Sequence, residues 1–289
     1  MRSGAGRRGS SLRRTAAALW GASACLVAAT ATAAPVPCPL IQGTQTSACQ
    51  VAVGETTVGV TAAADGSRFR LDAWNVGGVP QLNYEAAVLA VFSELITLAA
   101  QLESATVDPD TGTIAVSYLD SGNGIRLRTT FVVSDTGSLS EVDETATVES
   151  LSQTLSLRLY LVTDFDLGGT PTDDLAFSTQ DGTQFAQTSG PIEAQVAVLS
   201  PAPDAFEVAS CCALSAIVEG GAVLDLDGTT LGVGPDDFQQ ALSWDRTLGA
   251  GHDFTASVRK TISVPEPSSQ LGVAVAALAL GALARRRAS

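Results

Sequence analysis

The stretch LSLRLYLVTDFDL, from Leu155 to Leu167, decides the fold of this 289-residue chain. Its large apolar residues recur at every second position, and successive side chains of a β-strand point to opposite faces. This pattern predicts a half-buried strand. The apolar face comprises Leu155, Leu157, Leu159 and Leu161, and the other face comprises Ser156, Arg158 and Tyr160.

The same alternation recurs elsewhere in the chain. SRFRLDAW, residues 67–74, places Phe69, Leu71 and Ala73 on one face, and GIRLRTTFVV, residues 124–133, repeats the pattern. Closely spaced strands without intervening helical patterns predict an all-β chain that forms one large antiparallel β-sandwich. Turn-forming strings separate the segments, namely DPDTG at 108–112, DSGNG at 120–124, DTG at 135–137, QDGT at 180–183 and LGAGHD at 248–253.

Residues 83–104, NYEAAVLAVFSELITLAAQLES, depart from this pattern. Alanine, leucine and glutamate dominate there, and these residues have high helix propensity. The segment fits either one helix or two strands with a turn, and propensity favours the helix.

The charge distribution excludes one class of partner. The chain has 16 basic and 30 acidic residues, of which eight basic and one acidic residue lie within residues 1–33 and 264–289. Residues 34–263 therefore carry 8 basic and 29 acidic residues, a net charge of −21. Such a surface repels phosphate, so nucleic-acid binding is excluded.

Residues 1–33 have the organisation of a secretory signal peptide. Five arginines within the first fourteen residues precede an uncharged stretch with scattered large apolar residues. Ala31-Thr32-Ala33 is a small-residue cleavage site. We therefore expect an N-terminal signal helix, export through the inner membrane and cleavage after Ala33, which leaves an exported domain over residues 34–263.

Four cysteines would remain after this cleavage: Cys38, Cys49, Cys211 and Cys212. An even number in an exported chain predicts disulfides, with three possible pairings. The ten residues between Cys38 and Cys49 suit a local loop, whereas Cys211 and Cys212 could bond to each other or each to the N-terminal pair. A zinc site is less favoured, because the only histidine, His252, has no Cys-x-x-Cys motif near it.

A group of four aspartates surrounds the loop TDFDLGGTPTDD, residues 163–174. Carboxylates at this density suit Ca²⁺, which predicts a calcium site formed by Asp164, Asp166, Asp173 and Asp174. The spacing and terminal glutamate of an EF-hand loop are absent, which favours the alternative of an acidic loop that is only solvated. No other cofactor is predicted.

No catalytic set is evident in the sequence. Asp225-Leu226-Asp227-Gly228-Thr229 resembles the nucleophile loop of haloacid-dehalogenase-like phosphatases, and Asp236-Asp237 could serve as its magnesium pair. That family requires a long parallel α/β domain with further motifs between these two sites, and the interval here is too short. We therefore expect no catalytic residues and a protein that is not an enzyme.

The C-terminal segment has three parts. Val264-Pro265-Glu266-Pro267-Ser268-Ser269 is followed by a mostly apolar helix over 270–284, whose core of fourteen apolar residues spans about 21 Å, and then by Arg285, Arg286 and Arg287. This length is short for a hydrocarbon core of about 30 Å. The order resembles a PEP-CTERM sorting signal, which implies recognition and cleavage by an exosortase of a Gram-negative bacterium near Pro267, with the arginines cytoplasmic.

The central part is similar to a group of exported PEP-CTERM proteins with a large β-sandwich. The similarity rests on ETATVESLSQTLSLRLYLVTDFDLGGTPTDD, residues 144–174, and on FQQALSWDRTLGAGHDFTASVRKTI, residues 238–262. It implies a cell-surface or matrix protein with a structural, adhesive or exopolysaccharide-associated role. A carbohydrate-binding module is the first alternative, and a secreted hydrolase is the second.

Overall fold

The computed structural model describes residues 34–39, 46–63, 69–82, 84–91, 94–95, 101–169, 172–219, 223–228 and 234–265. The predicted signal peptide, the predicted C-terminal helix over 270–284 and the basic tip lie outside these ranges. No helix within them has the length and apolar character that a membrane span requires.

Strands form two antiparallel sheets, here called sheet A and sheet B. In spatial order, sheet A comprises β1 (Val36–Pro37), β8 (Gln101–Asp108), β9 (Thr113–Asp120), β10 (Ile125–Asp135), β11 (Leu139–Ser150), β18 (Asp253–Ser263), β15 (Ile192–Ser200), β14 (Gln184–Ser189) and β13 (Leu175–Ser178). Sheet B comprises β16 (Ala205–Ser210), β17 (Phe238–Leu248), β12 (Leu155–Asp164), β6 (Tyr84–Val91), β4 (Phe69–Val76), β3 (Thr56–Ala63) and β2 (Thr46–Val53), with β5 (Val79–Pro80) beside β4 and β7 (Glu94–Leu95) beside β6.

The all-β prediction is confirmed, and the five turn-forming strings each connect two consecutive strands. Within the described ranges, two short helices add to the sheets, a 3₁₀ turn over Leu167–Gly169 and α1 (Ala213–Glu219).

The helix favoured for residues 83–104 is wrong. Strands β6, β7 and the start of β8 occupy the described part of this segment. Strand β6 pairs with β12 from Leu157↔Val91 to Asp164↔Tyr84. The backbone hydrogen bonds of this pairing outweigh the helix propensity of an alanine-rich sequence, which is a weak determinant beside tertiary context.

The main hydrophobic core lies between the two sheets and includes the four leucines of the apolar face of β12. Trp74 is fully buried there, and its Nε1 donates a hydrogen bond to Ser140 Oγ of sheet A at 2.7 Å. A register shift between β3 and β4 places Trp74 in the core. The predicted inward position of Ala73 is therefore wrong, because the irregularity breaks the alternation after Leu71.

The opposite face of β12 is also covered. Tyr160 and Val162 belong to a second, smaller apolar cluster with residues of α1 and of the extended segment 223–228. The Tyr160 hydroxyl donates to the carbonyl of Leu224 at 2.7 Å. Strand β12 is therefore buried on both faces over much of its length, where the sequence predicted a half-buried strand.

Both disulfides are local. Cys38 bonds to Cys49, which joins the segment after β1 to β2, and Cys211 bonds to its neighbour Cys212. Of the three pairings that the sequence left open, the structure contains the one with no long-range link.

Candidate functional site

The end of β12 meets the start of β17 at one end of sheet B. The two strands are antiparallel and pair from Leu155↔Leu248 to Asp164↔Gln239. Asp166 follows β12 by two residues, and Asp237 directly precedes β17. The pairing therefore brings acidic residues from two distant parts of the sequence to the same place.

Three of these residues form a compact group, which we call the carboxylate cluster: Asp164, Asp166 and Asp237. One carboxylate oxygen from each lies within 4.8 Å of the others. Asp164 is 1% exposed and accepts a hydrogen bond from Gln239 Nε2 at 3.0 Å. The same amide is fixed by Ser215 of α1, whose backbone N–H donates to Gln239 Oε1 at 3.0 Å.

Burial raises the pKa of two of the three carboxyl groups in the cluster. Burial raises the pKa of Asp166. It also raises the pKa of Asp237 to about 6, with a further contribution from the negative charge of Asp166, while a hydrogen bond to Asp164 acts in the opposite direction. Asp164 and Asp237 thus lie close together, and the raised pKa makes Asp237 easier to protonate than an exposed aspartate.

A glycine turn shapes the loop that leaves the cluster. Gly168 and Gly169 have φ angles of +68° and +74°, in the left-handed region that glycine adopts at no steric cost. The N–H of Gly168 donates to Gln81 Oε1 at 3.0 Å, and Gln187 Nε2 donates to the carbonyl of Phe165 at 2.6 Å. These two buried glutamines hold the loop against both sheets.

Asp173 and Asp174 lie outside the carboxylate cluster. Asp174 is fully buried and accepts a hydrogen bond from Gln187, and burial raises its pKa to about 6. The backbone carbonyl of Asp174 accepts a hydrogen bond from the N–H of Asp236 at 3.1 Å. The same carbonyl oxygen lies so close to Gly234 that a Cβ added there would be 2.1 Å from it. Asp173 is exposed and accepts from Ser189 Oγ at 3.2 Å.

The four aspartates predicted to bind calcium are thus divided between two places. Asp164 and Asp166 converge with Asp237, a residue that the sequence indicates only as part of a poorly matching phosphatase motif. The oxygen donors of the carboxylate cluster suit a hard cation such as Ca²⁺, and calcium binding stays a prediction.

The disulfide between Cys211 and Cys212 borders the cluster. Cys211 Sγ lies 3.6 Å from Asp164 Oδ2, and the N–H of Cys211 donates to the carbonyl of Asp237 at 2.7 Å. Because both sulfurs are in the disulfide, neither is available as the thiolate that a metal ion would require.

The remaining candidates lie elsewhere. Asp225 and Asp227 are exposed and alternate with the buried Leu224 and Leu226, as expected of solvated side chains. His252 is exposed in the turn after β17, at the opposite end of that strand from Asp237.

No family model matches this chain, and no curated protein matches it. Among solved structures, a protein of Escherichia coli K12 that is provisionally named aldose 1-epimerase aligns with a TM-score of 0.51 at 8% identity, over 76% of this chain and 100% of that one. A bacterial glucoamylase complexed with acarbose aligns at 0.47 and 9% identity, and a mutant of heparan sulfate lyase HepC from Pedobacter heparinus at 0.46 and 7%. The alignments cover 75% and 80% of this chain but only 31% and 37% of those two proteins.

The likeness to the Escherichia coli protein, at a TM-score of 0.51, corrects the prediction that the chain is not an enzyme. Over 76% of this chain the fold is similar to that of a protein named as an epimerase, so the fold gives no ground for excluding an enzyme. The prediction relied on the absence of catalytic motifs in the sequence. A motif search cannot detect a group such as the carboxylate cluster, which forms only when β12 and β17 pair.

Proposed function

We propose that this chain is an exported carbohydrate-binding protein whose ligand site is the carboxylate cluster. The observation that carries the proposal is the convergence of Asp164, Asp166 and Asp237 on a fold shared with an aldose 1-epimerase. Oδ1 of Asp166 and Oδ1 of Asp237 are buried and have no hydrogen-bond partner among the described residues. The side chains of Asp166 and Asp237 are only half-buried, and a carboxylate accepts hydrogen bonds from the hydroxyl groups of a sugar.

A binding experiment with two aspartate variants tests the proposal. Calorimetric titration of the full exported chain with neutral mono- and polysaccharides should give saturable binding, and Asp237→Asn should weaken it at least tenfold. Asp225→Asn removes an exposed carboxylate outside the cluster and should leave binding unchanged. Equal binding by wild type and Asp237→Asn would contradict this location of the site.

The same titration with and without millimolar Ca²⁺ tests the calcium prediction. Calcium that binds in the cluster should change the affinity of the wild type for sugar, and Asp166→Asn should remove that change. Sodium chloride at matched ionic strength is the control, because a domain with a charge near −21 is also affected by screening alone.

A second candidate function is acid–base processing of a bound aldose. The observation that favours it is the close approach of Asp164 and Asp237 together with the raised pKa of Asp237, because a carboxyl group that titrates at about 6 can donate a proton near neutral pH. Interconversion of the two anomers of an aldose needs a base at the anomeric hydroxyl and an acid at the ring oxygen. Polarimetry on freshly dissolved aldoses should show faster mutarotation with the wild type than with Asp237→Asn.

We also propose that the exported domain is sorted by an exosortase and associates with exopolysaccharide at the cell surface. The sequence of residues 264–289 supports this. Val264, the first residue of the sorting motif, donates its N–H to the carbonyl of Ser138 at 3.1 Å, so the motif starts directly beyond the end of β18. Intact mass of the surface protein should show loss of residues 1–33 and of Arg285 to Arg287, whereas retention of the arginines would indicate a permanent tail anchor.

A further inference from the structure

The outer face of sheet A carries a groove beside its edge strand. Its volume is about 150 Å³. Phe177 of β13 forms one wall, and this residue is 54% exposed although it belongs to a strand. The groove is lined by Phe177, Ser178, Thr179, Gln184, Phe185, Ala186, Gln195, Val196 and Ala197.

Strand register explains why the groove is a depression. Ala176 belongs to the main core, so its neighbour Phe177 points to the opposite, outer face of the sheet. Phe177 pairs with Ala186 of β14, which pairs in turn with Gln195 of β15. The small side chain of Ala186 therefore leaves space between the larger side chains of Phe177 and Gln195.

The lining chemistry suits a neutral ligand rich in hydroxyl groups. None of the nine lining residues carries a charge. Gln184 and Gln195 are exposed and supply amide groups. The amide of Gln195 donates to Glu193 Oε1 at 2.7 Å, which leaves its oxygen to accept from a ligand.

The charge of the domain selects against anionic ligands. Residues 34–263 have a net charge of −21, which repels a polysaccharide with carboxylate or sulfate groups. The negative face of a phenyl ring, in contrast, attracts the weakly positive C–H groups on the flat side of a sugar ring.

We propose that this groove binds one sugar ring of a neutral polysaccharide, stacked on Phe177, with its hydroxyl groups bonded to Gln184 and Gln195. The volume limits the buried part of the ligand to about one ring. The proposal rests on the ligand class proposed above but places a second contact on sheet A, separate from the carboxylate cluster. A long polysaccharide could then be held at two points.

The test is retardation of the full exported chain in native gels that contain a neutral glucan or a sulfated polysaccharide. The wild type should be retarded by the neutral polymer only. Phe177→Ala should raise the dissociation constant at least tenfold, whereas Phe177→Trp should restore binding, because it keeps an aromatic face. Leu175→Ala is the matched control, since Leu175 is 45% exposed on the same face of β13 but does not line the groove.

The outcomes separate this proposal from the proposed function. If Phe177→Ala binds as the wild type does while Asp237→Asn does not bind, the carboxylate cluster is the sugar site and the groove proposal is overturned. If Phe177→Ala fails to bind while Asp237→Asn binds normally, the groove proposal holds without the cluster.

Sedimentation equilibrium tests whether a second copy of the chain covers β13 instead. If the wild type binds no sugar but forms a dimer that Phe177→Ala does not form, the proposal is overturned. Circular dichroism of each variant confirms that it is folded.

Discussion

Lys260 Nζ lies 2.6 Å from Glu144 Oε2, and both side chains are at least 99% buried. The two residues lie on adjacent strands, β18 and β11, on the face that packs against sheet B. Lys260 is the single lysine of the chain. Removing both charges from water is costly, and their attraction offsets this cost only while the pair is intact.

Breaking this buried pair should destabilise the domain strongly. We expect Lys260→Met to lower the free energy of unfolding by about 3–5 kcal/mol, because Glu144 would be left as an unpaired buried charge. The double variant Lys260→Met with Glu144→Leu should recover most of this loss. Urea unfolding followed by tryptophan fluorescence measures both. Arg128→Met is the control at a partly exposed ion pair and should cost less than about 1 kcal/mol.

Lysine acylation should report on unfolding. Because Lys260 Nζ is buried and ion-paired, an amine-reactive ester should modify the folded chain at its N-terminal amine but not at Lys260. Mass spectrometry of proteolytic fragments should detect modified Lys260 only at denaturant concentrations that unfold the domain. Rapid modification in native buffer would show that the β11–β18 region opens locally.

Stability should increase as the pH falls from 7.5 to 5. The pKa values of Asp174 and Asp237 are raised to about 6 by burial, so the folded chain binds protons more tightly than the unfolded chain between about pH 4 and 6. Stability is therefore lost as the pH rises through this range. Each group contributes on the order of 1–2 kcal/mol.

Urea midpoints measured from pH 5 to 7.5 test this sign. Asp174→Asn or Asp237→Asn should each flatten the dependence, and Asp225→Asn, at an exposed position, should not. Carboxyl groups with lowered pKa values, such as Asp181 at about 2, lose their favourable contribution only at lower pH and do not reverse the trend in this window. A midpoint that rises with pH in the wild type would contradict the assignment.

The alternation in the sequence predicted individual strands well but not their partners. Strand β12 was evident from its leucines because period two is a local property. The hydrogen bond between Gln239 and Asp164 spans 75 residues, and nothing local to either residue indicates it. Asp237 was missed as a member of the carboxylate cluster for the same reason.

Two other differences between the sequence-based prediction and the structure also arise from strand pairing. Residues 84–91 have helix-forming composition, yet the strand pairing of β6 with β12 determines their conformation. Phe177 gave no signal in the sequence, because an exposed and a buried phenylalanine differ only in which face of the sheet the register assigns to them.

A side chain at Gly182, in the turn between β13 and β14, should lower the free energy of unfolding. This residue has a φ of +66°, and a Cβ there would lie 2.2 Å from Cδ1 and 2.3 Å from Cγ of Phe206, a ring buried at the end of sheet B. Gly137, in the turn between β10 and β11, has a φ of +92° with no atom within 4 Å of such a Cβ.

Alanine at either position should incur the cost of a left-handed backbone, about 1–2 kcal/mol. Gly182→Ala should lose roughly a further 1–3 kcal/mol, because Phe206 must move. Comparing the two variants by urea unfolding isolates the steric contribution, and equal stabilities would show that Phe206 relaxes freely and does not tie this turn to β16.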